Sequence, residues 1–556
     1  FANANGISAV AIGQNANVQR EQGIAIGNGA TVTTDSNQGI AFGTAASSNA
    51  GNSTAIGTLA NAKADASIAI GRKAVVERET DNSTQAIAIG VSSVSNGTNS
   101  TAIGSNARGG YIDSVALGTD ANASNFQAIS IGKNSVNGAI AGVAMGSGST
   151  VGGWADNAIA IGTGAVVNGP TGSSKGNNAI AIGTGATVND SEGRAHGNNA
   201  IAMGFGAKTI GENTIAMGMT AKANKESGIA IGRETNVSGS YGIAIGRNAN
   251  VSTTDDNAIA LGRNTVAGSD SAVAVGLGAQ ATGQFSQAVG RYANAAGDNA
   301  LAMGLSACAT KSSSLALGPN AKALGEGNIA LGNGAITSND TDAIALGSSA
   351  NASAINALAL GKDSLATKGS AIALGPRAKA NGATGIALGM DANVSTDNSV
   401  ALGSGSTAGA RNALTSIQID GVEVGNNGKA SGAAVLAVGN STAARQVQYV
   451  SAGLIGENST DAINGSQLYR VITAVNATAS TATAAKNAAA TAQTTADQAK
   501  TAAATAQTTA NQAKTAAATA QTTADQAQTT ANQAKAAAAT AQTTANDAKT
   551  AAGTAQ

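Results

Sequence analysis

Apolar residues in this chain come in short runs closed by glycine, AIAIG in the commonest form, and the run returns throughout the first 403 residues. Its closing glycines number twenty-seven, from Gly13, Gly27 and Gly43 to Gly389 and Gly403, and nineteen of the twenty-six intervals between them are 14 residues long. A fixed short period means one supersecondary unit per repeat, stacked on its neighbours. Within Ala258-Ile259-Ala260-Leu261-Gly262 the branched residues alternate with alanine, so a strand carries Ile and Leu on one face and Ala on the other. Neither face is polar, and a strand that is apolar on both sides is buried on both. The coil's own interior covers one face. The other needs a further partner, most economically another copy of the chain around a symmetry axis.

After each glycine the pattern weakens. In Met219-Thr-Ala221-Lys-Ala223 small apolar residues alternate with polar or charged ones, which predicts a second, half-exposed strand. A turn such as Val251-Ser-Thr-Thr-Asp-Asp-Asn257 then leads to the next cassette. With five Phe, five Tyr and one Trp in 556 residues, Ala, Val, Ile and Leu must fill the core, and a core that thin gains from association. Length variation maps insertions to loops. The two 21-residue intervals, Gly162 to Gly183 and Gly183 to Gly204, are adjacent, so their extra residues should project side by side. A third insertion, around Val76-Glu-Arg-Glu-Thr-Asp81, is strongly charged.

The period ends near residue 410. Residues 411–444 still hold strand-like runs, Thr415–Ile419 and Val422–Val424, and a last cassette, Ala434–Gly439. Residues 445–467 contain RQVQYVSAG and DAINGSQ, with Asp461 expected to cap a helix that starts there. From Leu468 an apolar seam runs at 3,4 spacing through Val471, Val475, Ala482, Ala489 and Ala496 to Ala555, a heptad pattern that predicts a left-handed coiled coil over 468–556. Alanine favours the helix yet buries little area, so each turn associates weakly.

Composition narrows the function. Lys plus Arg and Asp plus Glu number 31 each, giving no net field to attract nucleic acid or an anionic membrane, and no apolar run approaches the roughly 20 residues of a membrane span. The start at Phe1 implies a leader already removed or never included. Cys308 falls at a slot held by Lys322 and Gln280 in other repeats and reads as a tolerated small residue. The single histidine, His196, forms no multi-histidine metal cluster within one chain, and the carboxylates are scattered through turns rather than paired. No catalytic residue, cofactor site or metal site is expected, and the chain does not read as an enzyme.

The 14-residue cassette, RQVQYVSAG at 445–453, DAINGSQL at 461–468 and the heptad segment, in that order, resemble the trimeric autotransporter adhesins with a YadA-like head. The resemblance implies a left-handed parallel β-roll head at 1–410, packed as a homotrimer. It also implies a neck at 445–467 and an α-helical, left-handed trimeric coiled-coil stalk at 468–556, with an outer-membrane β-barrel anchor at the cell surface beyond Gln556. Arg445, Gln446, Val450, Ala452, Gly453, Asp461, Ala462, Asn464, Gln467 and Leu468 match the family's neck pattern. The insertion from Leu414 to Gly432 departs from the simplest head and predicts a small extra β-element.

The leading functional expectation is adhesion, with the head binding host extracellular matrix or a host receptor. About 28 coils at about 4.8 Å each predict a head on the order of 130 Å, and three identical faces supply avidity. Trp154, after Gly152-Gly153, and the insertions bearing Lys175, Glu192, Arg194 and His196 are the candidate ligand-binding residues. The alternative is a self-associating fibre that drives autoaggregation and biofilm without a host receptor.

Overall fold

A computed structural model describes every residue except 78–83, 169–175, 190–196, 253–255, 413–416, 420–421, 425–432, 457–458, 496–498 and 555–556. The chain folds as two compact units, Phe1–Asn299 and Ala300–Gln556.

The first unit is a parallel β-solenoid. Each coil contributes a three-residue cassette strand and, across the coil, a strand of two or three residues. Ile229–Ile231 lies in register on Ile243–Ile245, placing Ile229 on Ile243, Ala230 on Ala244 and Ile231 on Ile245. Asn236–Val237 lies likewise on Asn250–Val251. The corners are laddered as well, with Gly246 N donating to Ile231 O at 2.8 Å and Asn248 N to Arg233 O at 2.9 Å.

Of the two apolar cassette faces, the alanine face turns inward. Ala230, Ala244 and Ala260 are completely buried, whereas Ile229 and Ile243 are half-buried and Ile245 is 40% exposed. The reason is width. Two short strands facing each other across one tight coil leave room for methyl groups, with Val237 and Val251 of the opposite strand completing the interior. The branched residues therefore form a continuous outward row along the solenoid. Full burial of such a side chain is worth about 1.5–3 kcal/mol, so the row is a large unfilled driving force.

The corner after each cassette is dictated by backbone contact. Gly118 has φ +133°, and a Cβ there would stand 2.6 Å from the Gly132 carbonyl oxygen of the next coil. Where serine or threonine replaces the buried alanine three residues further on, its hydroxyl donates back to the glycine carbonyl, as from Ser149 to Gly146 at 3.0 Å and Thr265 to Gly262 at 2.9 Å.

The second unit begins with the same solenoid, Leu301–Met303 on Leu315–Leu317, and continues through Ile386–Leu388 on Val400–Leu402. Within the segment expected to carry an extra β-element, Ile417–Ile419 pairs antiparallel with Val422–Val424. The last cassette then returns to the ladder, with Leu436 on Val400 and Ala437 on Ala401.

Two helices follow, α1 (Gly465–Thr495) and α2 (Ala499–Thr554). Ala496, part of the seam expected from Leu468, lies outside the described residues. In the single chain α1 and α2 pack on one another around an apolar cavity of about 580 Å³, with Leu468, Val471 and Val475 facing Gln512, Ala520 and Ala527. Val471 remains 50% exposed and Ala482 and Ala489 are exposed. Helix α2 also lies across the cassette strands from Ile344–Leu346 to Leu436–Ala437. There Ile344, Leu358, Ile372, Ile386 and Val400 are buried, whereas Leu301, Leu315 and Ile329 in the earlier coils of this unit are half-buried. The same outward row therefore accepts a helix when one is at hand. Among the described residues, no helix is long and apolar enough to cross a membrane.

Candidate functional site: the neck and the head surface

The neck is built from polar side chains that tie one backbone segment to another. Arg445 spans the edge of the last coil, its guanidinium Nη1 donating to Val438 O at 2.7 Å and Ser406 Oγ at 2.9 Å while Nη2 donates to Ser404 O. The planar fork suits this task because its donors diverge in fixed directions.

Further along, residues 450–454 are fastened to 461–467. Asn464 Oδ1 accepts from Gln467 N at 3.1 Å and Gln467 Oε1 accepts from Asn464 N at 3.1 Å, a reciprocal capping box at the start of α1. Gln467 Oε1 also accepts from Gly453 N at 3.1 Å, and its amide donates to Gly453 O. Asn464 Nδ2 donates to Val450 O at 3.0 Å. The helix cap is therefore Asn464, in place of the expected Asp461. The Asp461 carboxylate instead accepts from Leu454 N at 2.9 Å, pinning the chain before the helix. Gly453 is required by proximity, since a Cβ would stand 2.4 Å from Ala462 O. Leu468 is buried, whereas Gln446, Ala452 and Ala462 are exposed. Tyr449, Leu454, Ile455 and Tyr469 are at least two-thirds exposed, an apolar set that the chain leaves uncovered by itself.

On the head, Trp154 is 49% exposed on a turn of the longer coil between Gly146 and Gly162. Lys175, Glu192, Arg194 and His196 lie outside the described residues. Among the described residues no group of three or more His, Cys, Asp or Glu side chains could hold a metal ion. In the second unit Arg377 and Asp391 sit one coil apart and form a bidentate pair, Nε to Oδ1 at 2.6 Å and Nη2 to Oδ2 at 2.7 Å. The hydrogen bond from Arg377 holds the Asp391 carboxyl below its ordinary range and pushes the guanidinium further up.

Sixteen segments between residues 4 and 413 match the YadA head domain repeat, and residues 450–491 match the coiled stalk of trimeric autotransporter adhesin. The chain belongs to the trimeric autotransporter adhesins. No curated protein matches it. Membership makes the protein a cell-surface adhesin of a homotrimeric, outer-membrane-anchored family whose head and stalk are structural rather than enzymatic.

One feature of this adhesin's head lies beyond the candidate residues read from the sequence. At one outward position of the turn that enters each cassette, three successive coils carry Ile112, Phe126 and Ile140, between 37% and 43% exposed. Gln127 N donates to Ile112 O, Ala141 N to Phe126 O and Asn157 N to Ile140 O, so the three form one ladder row. Their 14-residue spacing in the sequence, the period of the cassettes, is the signal that marks them.

Proposed function

We propose that this adhesin binds a host matrix protein or a host cell-surface receptor through its head, with three copies of each site carried on one fibre. The observation that carries the reading is Trp154. The chain's one tryptophan stands half-exposed on an elongated turn, where it fills no part of the coil interior. Exposed tryptophan is a characteristic anchor of protein–protein contacts. Lys175, Glu192, Arg194 and His196 follow it in sequence on the two longest insertions and are proposed as parts of the same surface. Threefold presentation lets a weak individual contact act through avidity.

The test is binding of the purified full chain to immobilised matrix glycoproteins and to cultured cell monolayers. It should be compared with Trp154→Ala and with variants whose 169–175 and 190–196 segments are replaced by Gly/Ser. A tenfold or greater loss supports the site. Undiminished binding by all variants moves the contact elsewhere on the head, and absence of binding to every surface removes the host reading. Light scattering on the full chain and on a chain ending before Arg411 reports whether the head alone holds the trimer, the expectation that the outward apolar row motivates.

The row Ile112–Phe126–Ile140 favours a second reading, in which heads on different cells bind one another.

A further inference from the structure

The row that enters the cassettes is polar almost everywhere else in the first unit. Followed through the corner hydrogen bonds, it carries Asp65, Thr84 and Thr98 before Ile112, and Asp156, Asn177 and Asn198 after Ile140. Apart from Ile7 in the first coil, every other described rung of this row in the unit is polar or glycine. Three consecutive apolar rungs are therefore a local departure. Tyr111, 50% exposed, flanks them in the first of these coils, and Trp154 occupies the turn of the coil that follows. Three of the chain's eleven aromatic residues fall within these few turns. Aromatic enrichment with charge held to the margins is the composition of an interface core.

We propose that this row is a homotypic contact in which two heads meet antiparallel about Phe126. The proposal rests on the self-association reading. The pattern Ile–Phe–Ile is palindromic. A twofold axis through Phe126 sets that ring on its own copy and sets Ile112 on Ile140 of the other head, the self-complementary arrangement an isologous contact demands. Rungs at the strand spacing of about 4.8 Å stay matched one-to-one against rungs of the same rise, which a second copy of this solenoid supplies.

Charge selects the direction. In the antiparallel pairing Asp156 meets Thr98, and Asp113 meets the coil of Ala139 and Ala141. In a parallel pairing Asp113 would meet Asp113 and Asp156 would meet Asp156, placing like charges opposite one another. Elsewhere on the row Glu212, Glu226, Asp256 and Asp270 disfavour close approach of a second copy. Five half-exposed side chains form a smaller contact than the about 800 Å² per partner of a standard stable interface, so one contact is weak and reversible. Three per trimer give it multivalent strength.

The experiment uses beads coated at equal density with the purified full-length chain, and clumping is read by light microscopy. Wild-type beads are expected to clump, and Phe126→Glu and Phe126→Lys beads each to clump at least tenfold less. A mixture of the Glu and Lys beads is expected to clump again, since position 126 faces itself. Far-UV circular dichroism verifies that the variants keep the solenoid, as substitution on an exposed turn should. In a Cys308→Ser background, Phe126→Cys should form disulfides between trimers, whereas Ile112→Cys should do so when mixed with Ile140→Cys. Wild-type beads that stay dispersed overturn both the self-association reading and the contact. Clumping unchanged by Phe126→Glu overturns the contact and leaves self-association standing. Cross-links confined within a trimer place the row inside the assembly and also overturn the contact.

Discussion

The Arg445 guanidinium carbon lies 3.0 Å from the point where a Cβ on Gly403 would stand. The last cassette glycine of the regular series thus makes room for the first residue of the neck, and the arginine closes the coil where no further regular coil follows. Replacing Arg445 by Ala leaves Val438 O, Ser404 O and Ser406 Oγ without this donor. A loss of about 1–3 kcal/mol is expected. Hydrogen exchange should show it as faster opening of residues 400–408 and 435–445, with the earlier coils unchanged.

The capping box at α1 gives a graded series. Asn464→Ala removes the acceptor for Gln467 N and the donor to Val450 O, and a cost of about 0.5–2 kcal/mol is expected from the cap. Gly453→Ala should cost more, because its methyl would meet Ala462 O. Thermal melts of the full chain should rank Gly453→Ala below Asn464→Ala and both below Asp461→Asn, which keeps an oxygen to accept from Leu454 N. An Asp461 variant as damaging as Gly453→Ala would contradict this arrangement.

Gly118→Ala tests the cassette corner. Its φ of +133° and the 2.6 Å approach to Gly132 O leave a side chain both strained and obstructed. A backbone held in so sparse a region costs on the order of 1–3 kcal/mol before any clash. The expected result is local opening of the flanking coils, visible as proteolysis near residues 104–132. Gly148→Ala, where a Cβ would meet nothing within 4 Å, should carry the smaller conformational cost alone.

Acid should weaken the Arg377–Asp391 pair in a defined direction. The Asp391 carboxyl is held below its unfolded value of about 3.9, so the pair's contribution is fully present above about pH 4 and is lost as pH falls through the lower folded value. Both groups are solvent-exposed, so the effect is small. The stability difference between wild type and Arg377→Gln, followed from about pH 6 to about pH 2, should shrink toward zero at the acid end. A difference that grows on acidification would contradict the assignment.

Much of this architecture is legible in the sequence. The 14-residue glycine spacing fixes the coil, and the polar residues of segments such as Met219–Ala223 mark the half-exposed strand. The inward face was harder to read, because both faces of AIAIG are apolar and the choice follows from the narrow interior of a coil. The start of α1 was displaced because Asp461 and Asn464 both have capping side chains. The discriminating signal was Gln467, three residues after Asn464, where a capping box places its second member. The lie of α2 across Ile372 and Ile386 has no sequence signature, since an alanine-rich helix presents a shallow apolar stripe to any surface that offers branched residues. Trp154 stands out in the sequence as the one tryptophan in a small-residue chain, whereas the Ile112–Phe126–Ile140 row shows only when successive turns lie one above another.

Because the coils repeat a small-residue, mostly alanine interior and the same glycine-on-glycine corner, a coil can be gained or lost without redesigning its neighbours. Gene duplication or slippage in whole repeats would therefore alter the reach of the fibre in fixed steps while leaving its ends intact. Distance from the cell becomes a heritable, digital trait, adjustable without invention of a new fold.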